Sequence, residues 1–507
     1  MLPPLPLAAL LLVAAVAGAG LDSAAVGSHP DEGLYLALGR EMHTTGDWIT
    51  PTVDGLPDYS KPPLLEWAMQ VAFLLFGVKL WAARLPVALA IVGLAWVAGR
   101  LARDEVGSDA EPVAILFTGT MLGVLRYGRL AMQDVPLALA LALGLTCVWR
   151  VARGEDSRWL LGAGVAGAAA ALLKGPVGPL LLALIATWWL VRRRPDTLRS
   201  RWLLAAIGLG VVLAAPWYVL MAERHGSAFL GQFFGAENLG KFRFPWTLAG
   251  EVGLLVALPV LALPWTLRAR ARGPAAALAW PWVAVVLGVF SLPGLKHDHY
   301  VVPALVPLAL LASGPSSVAG RRASAALLGV IAVLCLLLLR LTLPTGAAAS
   351  LVLGGVLLGA GAWLMGRDRA FSAAVAVAGA AVLILAVTLP VAIPAPVPPR
   401  AWEAAAGRTV YTASENPGLL SFLADRPVHR VHGAAATLQA LESGGVLILD
   451  AEEEGQLPAE LRGRLETVTS WRRLRGRISP SSVLDAWHAR TLDSLCLTAR
   501  MVQIGPG

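Results

Sequence analysis

Ionisable side chains in this chain are concentrated in short polar segments between long apolar runs. The first segment, residues 20–62, contains the adjacent carboxylates Asp31 and Glu32, and Lys61, which two prolines follow. Because a proline disfavours helical backbone at the residue before it, Lys61 is expected outside a regular helix, with its ammonium group available to an anion. A carboxylate can act as a general base, and an ammonium group can stabilise a departing anion. The segment is therefore a candidate reaction site, although helix-dipole compensation by the two acids and a lysine that binds lipid headgroups would also explain it.

Further polar segments interrupt the apolar sequence downstream and carry other candidate residues. Asp134 begins an apolar run, and an ionisable residue at the mouth of a membrane span is a functional candidate. Simple capping of that helix is the alternative. Lys174 lies among glycines and prolines, where an exposed turn could hold an anion or the lysine could compensate a helix dipole. The remaining candidates are Lys241 and Arg243 in an aromatic-rich loop, and the adjacent His299 and Tyr300.

The sequence KHDHY at 296–300 could also indicate a metal site, because His297 and His299 flank Asp298. Imidazole and carboxylate groups are common ligands of divalent metals. Alternate residues on one short segment rarely bind a metal without further ligands. We therefore predict no metal ligand and no cofactor, with a divalent metal as the alternative.

The composition of the chain indicates a polytopic membrane protein. Of the 507 residues, 57% are hydrophobic and only 15% are charged, whereas about a quarter are charged in a soluble domain. The net charge is +8, but the basic residues fall in short clusters between apolar runs, which argues against a nucleic-acid partner. The 3 cysteines are too few and too scattered for a disulfide framework or a zinc cluster. No basic residue precedes the first apolar run, so we expect a retained span rather than a cleaved signal peptide.

About thirteen apolar runs could cross a hydrocarbon layer of roughly 30 Å. If the shorter run 64–78 lies along the membrane surface instead, the arginine clusters between the spans all share one face. The positive-inside rule assigns that face to the cytoplasm, together with the N-terminus. The polar segments with the candidate residues then share the opposite face. The predicted spans are 2–19, 81–101, 112–126, 130–149, 159–173, 176–191, 202–222, 248–267, 278–293, 300–314, 323–343, 347–366 and 370–391.

The first outer loop is predicted to contain a helix that lies in the membrane interface. Ser28 and Pro30 are typical of a helix start, apolar residues recur on one face, and Gly46 ends the pattern. Asp31 and Glu32 would occupy the first turn of this helix, close to the membrane surface.

The end of the chain is less apolar and is predicted to form a small α/β domain. We divide the chain into a membrane domain at 1–392, a Pro-rich linker at 393–399 and a soluble extracytoplasmic domain at 400–507. Strands are predicted at 408–412 and 445–450, and helices at 418–424 and 459–468.

Eight motifs, in chain order, resemble the membrane glycosyltransferases of the GT-C architecture. The resemblance is to the bacterial family 39/83 enzymes, which include the aminoarabinose transferase that modifies lipid A and the protein O-mannosyltransferases. It covers roughly residues 1–390. The motifs are DEGLY at 31–35, GDWITP at 46–51, KPPL at 61–64, the turn at Asp134, LLKGPVGPLL at 172–181, PWYVL at 216–220, FFGAENLGKFRF at 233–244 and KHDHYVVPALVP at 296–307.

The resemblance implies a bacterial inner-membrane enzyme that transfers a sugar from a polyprenyl-phosphate donor on the outer face. The acceptor would be lipid A or another glycolipid, a polysaccharide or a protein. Asp31 is implied as the main catalytic carboxylate, acting as base or orienting the acceptor, and Asp134 as the second carboxylate. The implied donor-phosphate and substrate-binding residues are Glu32, Lys61, Lys174, Lys241, Arg243, His299 and Tyr300.

Three residues depart from the pattern of the aminoarabinose transferase. Ser60 replaces an acidic metal ligand, Leu34 a basic residue and Asn238 a histidine. These departures argue against a bound zinc ion and leave the sugar open. A transporter or flippase of lipid-linked sugars is the alternative function, but it would be expected to keep ionisable residues near the bilayer midplane. The third hypothesis is a non-catalytic scaffold whose C-terminal domain docks a partner.

Overall fold

The structure is a computed structural model that describes residues 4–23, 29–243, 245–268, 273–340, 343–392, 396–413, 417–474 and 496–505. Its N-terminal part consists almost entirely of helices joined by short turns. In chain order these are α1 (Pro4–Gly18), α2 (Pro30–Thr45), α3 (Leu64–Phe76), α4 (Leu80–Glu105), α5 (Ala110–Thr120), α6 (Leu122–Tyr127), α7 (Asp134–Ala152), α8 (Leu160–Lys174), α9 (Val177–Arg193), α10 (Arg201–Leu230), α11 (Leu248–Leu261), α12 (Gly273–Ser291), α13 (Leu305–Ser313), α14 (Val318–Leu337), α15 (Thr345–Gly366), α16 (Ala370–Leu383) and α17 (Leu389–Ala392).

The predicted polytopic helical architecture is confirmed. Each of the predicted apolar runs overlaps a helix of the structure. In the part of the chain that the structure describes, 7 helices are long and apolar enough to cross a membrane. A count of thirteen crossings stays a prediction, because several of the other apolar helices are shorter than a full span.

The run at 64–78, on which the predicted topology depends, forms the short helix α3. Its 13 residues extend about 20 Å at 1.5 Å per residue, less than the roughly 30 Å of a hydrocarbon layer. One face, with Leu65, Met69 and Phe73, is buried, whereas Leu74 and Leu75 are exposed. This length and two-sided character favour an orientation along the membrane surface.

The helix predicted in the first outer loop is α2. Its N-cap is His29, whose ring nitrogen accepts a hydrogen bond from the Asp31 amide at 3.3 Å. Ser28, which the sequence suggested as part of the start signal, lies outside the described residues. The helix ends at Gly46, whose backbone is left-handed with a φ of 72°, a conformation that favours glycine. Asp31 therefore lies in the first turn, as predicted.

The C-terminal part contains a five-stranded mixed sheet. A small antiparallel hairpin, β1 (Thr52–Val53) and β2 (Leu56–Pro57), precedes it in the first outer loop. In the sheet, β3 pairs in parallel with β4 and β5, and β7 runs antiparallel to β5 and β6. The strands are β3 (Val410–Thr412), β4 (Val428–Arg430), β5 (Val446–Asp450), β6 (Leu465–Leu474) and β7 (Cys496–Ile504), and the helices are α18 (Pro399–Ala404), α19 (Pro417–Ala424), α20 (Gly433–Glu442), α21 (Ala451–Gly455) and α22 (Ala459–Gly463).

One of the predictions for this part is wrong. The helix expected over 459–468 ends at Gly463, and the chain enters β6 at Leu465. Long-range pairing explains the difference, because β6 forms an antiparallel ladder with β7, with one register shift between Thr467 and Thr469, and buries Trp471 in the core of the sheet. The predicted strands at 408–412 and 445–450 are present in shorter form as β3 and β5. The boundaries of the domains and of the Pro-rich linker stay a prediction.

Candidate active site

Asp134 and Lys174 form a buried ion pair at the ends of two neighbouring helices. Asp134 is the first residue of α7 and Lys174 the last residue of α8, and their side chains are only 4% and 10% exposed. The dipole of α7 favours a negative charge at Asp134, and the dipole of α8 favours a positive charge at Lys174. Compensation of the helix dipoles therefore accounts for each residue taken singly. Dipole compensation does not predict that the two side chains contact each other directly. The Lys174 ammonium group donates a hydrogen bond to the Asp134 carboxylate, which fixes its position.

The chain can turn sharply after Lys174 because the next residue is glycine. Gly175 has a φ of 68°, in the left-handed region. A Cβ atom there would also lie 3.0 Å from the ring of Phe233. Phe233 belongs to a segment that the sequence indicated as a loop but that continues α10 as a π-helix, Gly231–Leu239, and a 3₁₀-helix, Gly240–Arg243. This segment is thereby packed directly against the end of α8.

The aromatic ring of Tyr300 lies between two ammonium groups. Nζ of Lys174 is 5.1 Å from the ring centroid and Nζ of Lys241 is 5.9 Å from it. The ring is buried and stacks on Phe290 at 4.8 Å. Cation–π attraction can hold ammonium groups at such distances without neutralising their charge. The two lysines, distant in sequence, are thus positioned to bind one anion.

Lys61 is connected to the same region through the helical segment 231–243, which carries both Glu237 and Lys241. Its ammonium group is 3.3 Å from a carboxylate oxygen of Glu237 and donates a hydrogen bond to the Ser60 carbonyl at 3.1 Å. Arg243, at the end of the same segment, is exposed. The third predicted lysine therefore lies beside this segment, whereas Arg243 has its side chain toward the surface.

Asp31 is linked to Tyr300 by a series of ring contacts. Its carboxylate is 47% exposed and lies 3.8 Å from Nδ1 of His29. The ring of His29 is 5.8 Å from that of His299, which is 4.9 Å from the ring of Tyr300. Among the described residues, none hydrogen-bonds the buried Nδ1 of His299. The predicted residues from both halves of the membrane part therefore converge.

The pKa of His297 is influenced by charged residues of several of these segments. Burial lowers the pKa of this imidazole, and the charges of Lys241 and Lys174 lower it further, whereas Asp31 and Asp298 oppose them. An imidazole with a lowered pKa is neutral at pH 7. The positive charge at this point is accordingly carried by the lysines.

Glu32 has a different environment from its neighbour Asp31. It is 1% exposed and forms a two-point ion pair with Arg84, at 2.7 and 3.0 Å. It also accepts a hydrogen bond from the Ala131 amide at 2.9 Å. Because its oxygens are engaged within the protein, this arrangement favours a role in fixing the first turn of α2 over the predicted contact with substrate.

Sequence reasoning missed Arg84, although a signal was available. It is an arginine within the first turns of an apolar helix, and such a residue is expected to have a specific partner. It donates two further hydrogen bonds, to the carbonyls of Leu21 and Ser23 at 2.9 Å each. Arg84 therefore fastens both the start of the first outer loop and α2 to the helical bundle.

Two ion pairs that were not predicted position the 296–300 segment. Lys296 is 3.4 Å from Glu251 of α11, and Asp298 is 3.4 Å from Arg126 of α6. Lys296 and Asp298 thus attach the segment to α11 and α6. Among the described residues, no group of three or more side chains is arranged to hold a metal ion.

An apolar cavity of about 410 Å³ lies beside the site, between α8, α9 and α10. Along α8 its lining extends from Leu160 to Ala171, one turn before Lys174. Leu182 and Ala214 contribute from the neighbouring helices. An apolar lining of this kind suits a hydrocarbon chain.

Comparisons with known proteins show sequence similarity over part of the chain. The model of the dolichyl-phosphate-mannose-protein mannosyltransferase family matches residues 60–220. An undecaprenyl phosphate-alpha-4-amino-4-deoxy-L-arabinose arabinosyl transferase of Pseudomonas fluorescens is 28% identical over 345 residues, which are 62% of this chain and 58% of that protein. The Serratia proteamaculans enzyme of that name is 29% identical over 61% of this chain and 60% of its own length. The chain thus spans little more than half the length of these relatives.

Structural similarity extends over the whole chain. The crystal structure of ArnT from Cupriavidus metallidurans bound to undecaprenyl phosphate superimposes with a TM-score of 0.70 at 21% identity, covering 99% of both chains. Its apo state gives a TM-score of 0.68. The resemblance inferred from the eight motifs is confirmed, and the chain is a multi-pass membrane protein with the GT-C glycosyltransferase fold, similar to the aminoarabinose transferases.

Proposed function

We propose that this protein transfers a sugar from a polyprenyl-phosphate donor to an acceptor of the bacterial cell envelope, on the outer face of the inner membrane. The observation that carries the proposal is the grouping of Lys174 and Lys241 around Tyr300, linked to Asp31 through His29 and His299. It combines an anion-binding end and an accessible carboxylate, the two parts that displacement of a sugar from a phosphate requires.

In the proposed reaction, an acceptor hydroxyl oxygen attacks the anomeric carbon of the donor sugar. Asp31 accepts the hydroxyl proton, or orients the hydroxyl for attack. The bond between the anomeric carbon and the phosphate oxygen breaks, and its electron pair remains on the departing polyprenyl phosphate. Lys61, Lys174 and Lys241 stabilise the charge that develops on that phosphate, because ammonium groups positioned in advance need no reorganisation during the step.

The remaining predicted residues complete this assignment. Asp134 holds Lys174 in place, and Tyr300 with His299 forms the wall between the carboxylate and the cations. Arg243, on the exposed side of the helical segment 231–243, would meet the donor headgroup as it enters. Glu32 acts through Arg84 to fix the turn that carries Asp31.

We assign the polyprenyl chain of the donor to the apolar cavity along α8. The cavity ends one helical turn from Lys174, so a lipid within it would present its phosphate to the cations. Undecaprenyl phosphate is the ligand named for ArnT of Cupriavidus metallidurans, and the relatives are named for undecaprenyl-phosphate-linked aminoarabinose. Lipid A is the first acceptor to test, followed by other glycolipids, polysaccharide and protein.

The proposed topology has a cytoplasmic N-terminus and an extracytoplasmic C-terminal domain. It follows from the positions of the arginine clusters and from α3 lying along the surface. Cysteine-accessibility labelling in intact cells tests it, since a cysteine introduced at exposed Asp196 should be protected and one at exposed Asp425 should be labelled.

Transfer and translocation are distinguished in proteoliposomes that contain the purified protein, undecaprenyl-phosphate-linked aminoarabinose and lipid A. A transferase produces undecaprenyl phosphate and a lipid A of higher mass, both detectable by mass spectrometry. Donor that changes leaflet without loss of its sugar would instead establish the flippase. Mass spectrometry of envelope glycolipids and glycoproteins from cells with and without the protein identifies the natural sugar and acceptor.

Replacing Lys61 by methionine should weaken the binding of undecaprenyl phosphate by about 10- to 100-fold, because a hydrogen bond to a charged group is lost. The variant also leaves Glu237 without its cation, which then repels the phosphate. The measurement is isothermal titration of the detergent-solubilised protein with undecaprenyl phosphate. Lys79→Met is the matched control, since Lys79 is exposed at the start of α4. Equal affinities for both variants would remove Lys61 from the phosphate site.

A further inference from the structure

The helix that carries Asp31 is also the surface on which the C-terminal sheet domain docks. Helix α19 of that domain packs along α2. Leu419 and Phe422 of α19 belong to the main hydrophobic core of the membrane part, and the ring of Phe422 lies 6.2 Å from that of Phe73 in α3. The two parts of the chain are therefore joined through a shared apolar core at this position.

The two helices cross where both have a glycine. A methyl group on Gly418 of α19 would overlap the backbone carbonyl oxygen of Gly33 in α2 and lie 3.2 Å from Cβ of Ala37. The backbone of Gly418 is not in the left-handed region, so the requirement here is for space rather than for conformational freedom. Gly33 directly follows Asp31 and Glu32, so the crossing lies against the turn that carries the proposed catalytic carboxylate.

Two polar contacts also join the two parts, beyond the crossing. Arg40, further along α2, is 3.2 Å from Asp425, which directly follows α19. His429 of β4 lies 3.8 Å from Asp54 in the turn of the β1–β2 hairpin. The docked domain thus contacts both the helix and the hairpin of the first outer loop.

That hairpin is itself fastened to α2. The carboxylate of Glu41 accepts hydrogen bonds from the Thr52 hydroxyl at 2.8 Å and from the Gly55 amide at 3.1 Å. The hairpin, α2 and α19 therefore form one connected unit. The C-terminal domain thus contacts α2 directly at the glycine crossing and indirectly through the hairpin.

We infer that the C-terminal domain positions Asp31 for the transfer step, and that Gly418 is a positioning residue because it lets α19 seat directly on the first turn of α2. This inference rests on the proposed function. The phosphate-binding lysines lie on other elements: Lys61 precedes α3, Lys174 ends α8 and Lys241 follows α10. Loosening the crossing should therefore impair transfer while leaving the binding of the lipid phosphate intact. A general loss of stability would instead lower both transfer and binding.

The test uses the full-length protein in detergent with the variant Gly418→Ala, and Gly463→Ala as the matched control. Gly463 ends α22 of the same domain, and a methyl group there meets no atom within 4 Å.

Hydrogen–deuterium exchange of the amides in residues 30–45 should rise about tenfold in Gly418→Ala, the effect of overpacking a tight crossing. Sugar transfer from undecaprenyl-phosphate-linked aminoarabinose to lipid A should fall by about 10- to 100-fold, as expected when a reacting group is misplaced by about 1 Å. Binding of undecaprenyl phosphate should stay within twofold of wild type, and the control should match wild type throughout.

A milder pair of variants covers the case in which Gly418→Ala does not fold. Asp425 is largely exposed, and Asp425→Arg places two like charges together, so exchange in α2 should rise by about two- to fivefold. The reversed pair, Arg40→Asp with Asp425→Arg, should restore most of both exchange protection and transfer, with a residual cost because residue 425 has a left-handed backbone, φ 51°, that favours aspartate over arginine. Unchanged exchange in α2, or wild-type transfer despite faster exchange, overturns the positioning role. A wild-type protein that transfers no sugar instead overturns the proposed function, and the positioning role with it.

Discussion

Replacing Asp31 by asparagine should lower the rate of sugar transfer by about 100- to 10,000-fold, the usual contribution of a general base. Asparagine keeps the size of the side chain and leaves its first-turn position in α2 unchanged, but it cannot accept the proton of the acceptor hydroxyl. Because Asp31 is half exposed and contacts His29 rather than the lysines, the affinity for undecaprenyl phosphate should change by no more than about twofold. The measurement is the initial rate of lipid A modification in proteoliposomes at saturating donor.

Asp109→Asn provides the control for this loss. Asp109 is an exposed carboxylate before α5, and its side chain does not cap the helix. The substitution makes the same chemical change far along the chain from the site, and wild-type transfer is expected. Transfer at the wild-type rate by Asp31→Asn would reject the catalytic assignment.

Replacing Lys174 by methionine should have the largest effect on stability and should also abolish transfer. The side chains of both partners are almost entirely buried, so the variant leaves Asp134 as a buried carboxylate with no counter-ion. Breaking such a pair from one side typically costs about 3–5 kcal/mol. Thermal unfolding in detergent would show this as a marked decrease in midpoint relative to wild type and to the exposed-lysine variant Lys79→Met.

The double variant Asp134→Asn with Lys174→Met separates stability from function. Removing both charges eliminates the uncompensated carboxylate, so most of the lost stability should return. Transfer should remain absent, because the ammonium group that stabilises the departing phosphate is still missing. A double variant that is both stable and fully active would mean that the pair serves the fold alone.

The sequence was sufficient to predict the polytopic helical architecture. Apolar runs become helices because every backbone group in a membrane must be hydrogen-bonded within the chain. The arginine clusters indicate which polar segments share a face. Lys174 and Lys241, from two of these segments, both lie near the Tyr300 ring, whereas a single site that includes Asp31 and Lys61 stays a prediction.

What the sequence did not predict depends on contacts between distant residues. Arg84 pairs with Glu32, a residue 52 positions away, and nothing in the local sequence of either identifies the other. The helix predicted over 459–468 is present only as α22, Ala459–Gly463, because pairing with β7 draws the chain from Leu465 onward into β6. The crossing of α2 and α19 likewise depends on two glycines, at 33 and 418, that carry no local signal of their contact.

The contact between Lys61 and Glu237 has a thermodynamic consequence for the proposed donor. A lipid phosphate that binds Lys61 competes for the ammonium group with a carboxylate already in place at 3.3 Å. Binding is then an exchange of one anionic partner for another, and the measured affinity is the difference between the two interactions. An internal competitor of this kind also gives the spent lipid carrier a route of release, since Glu237 can reclaim the ammonium group once the phosphate begins to leave.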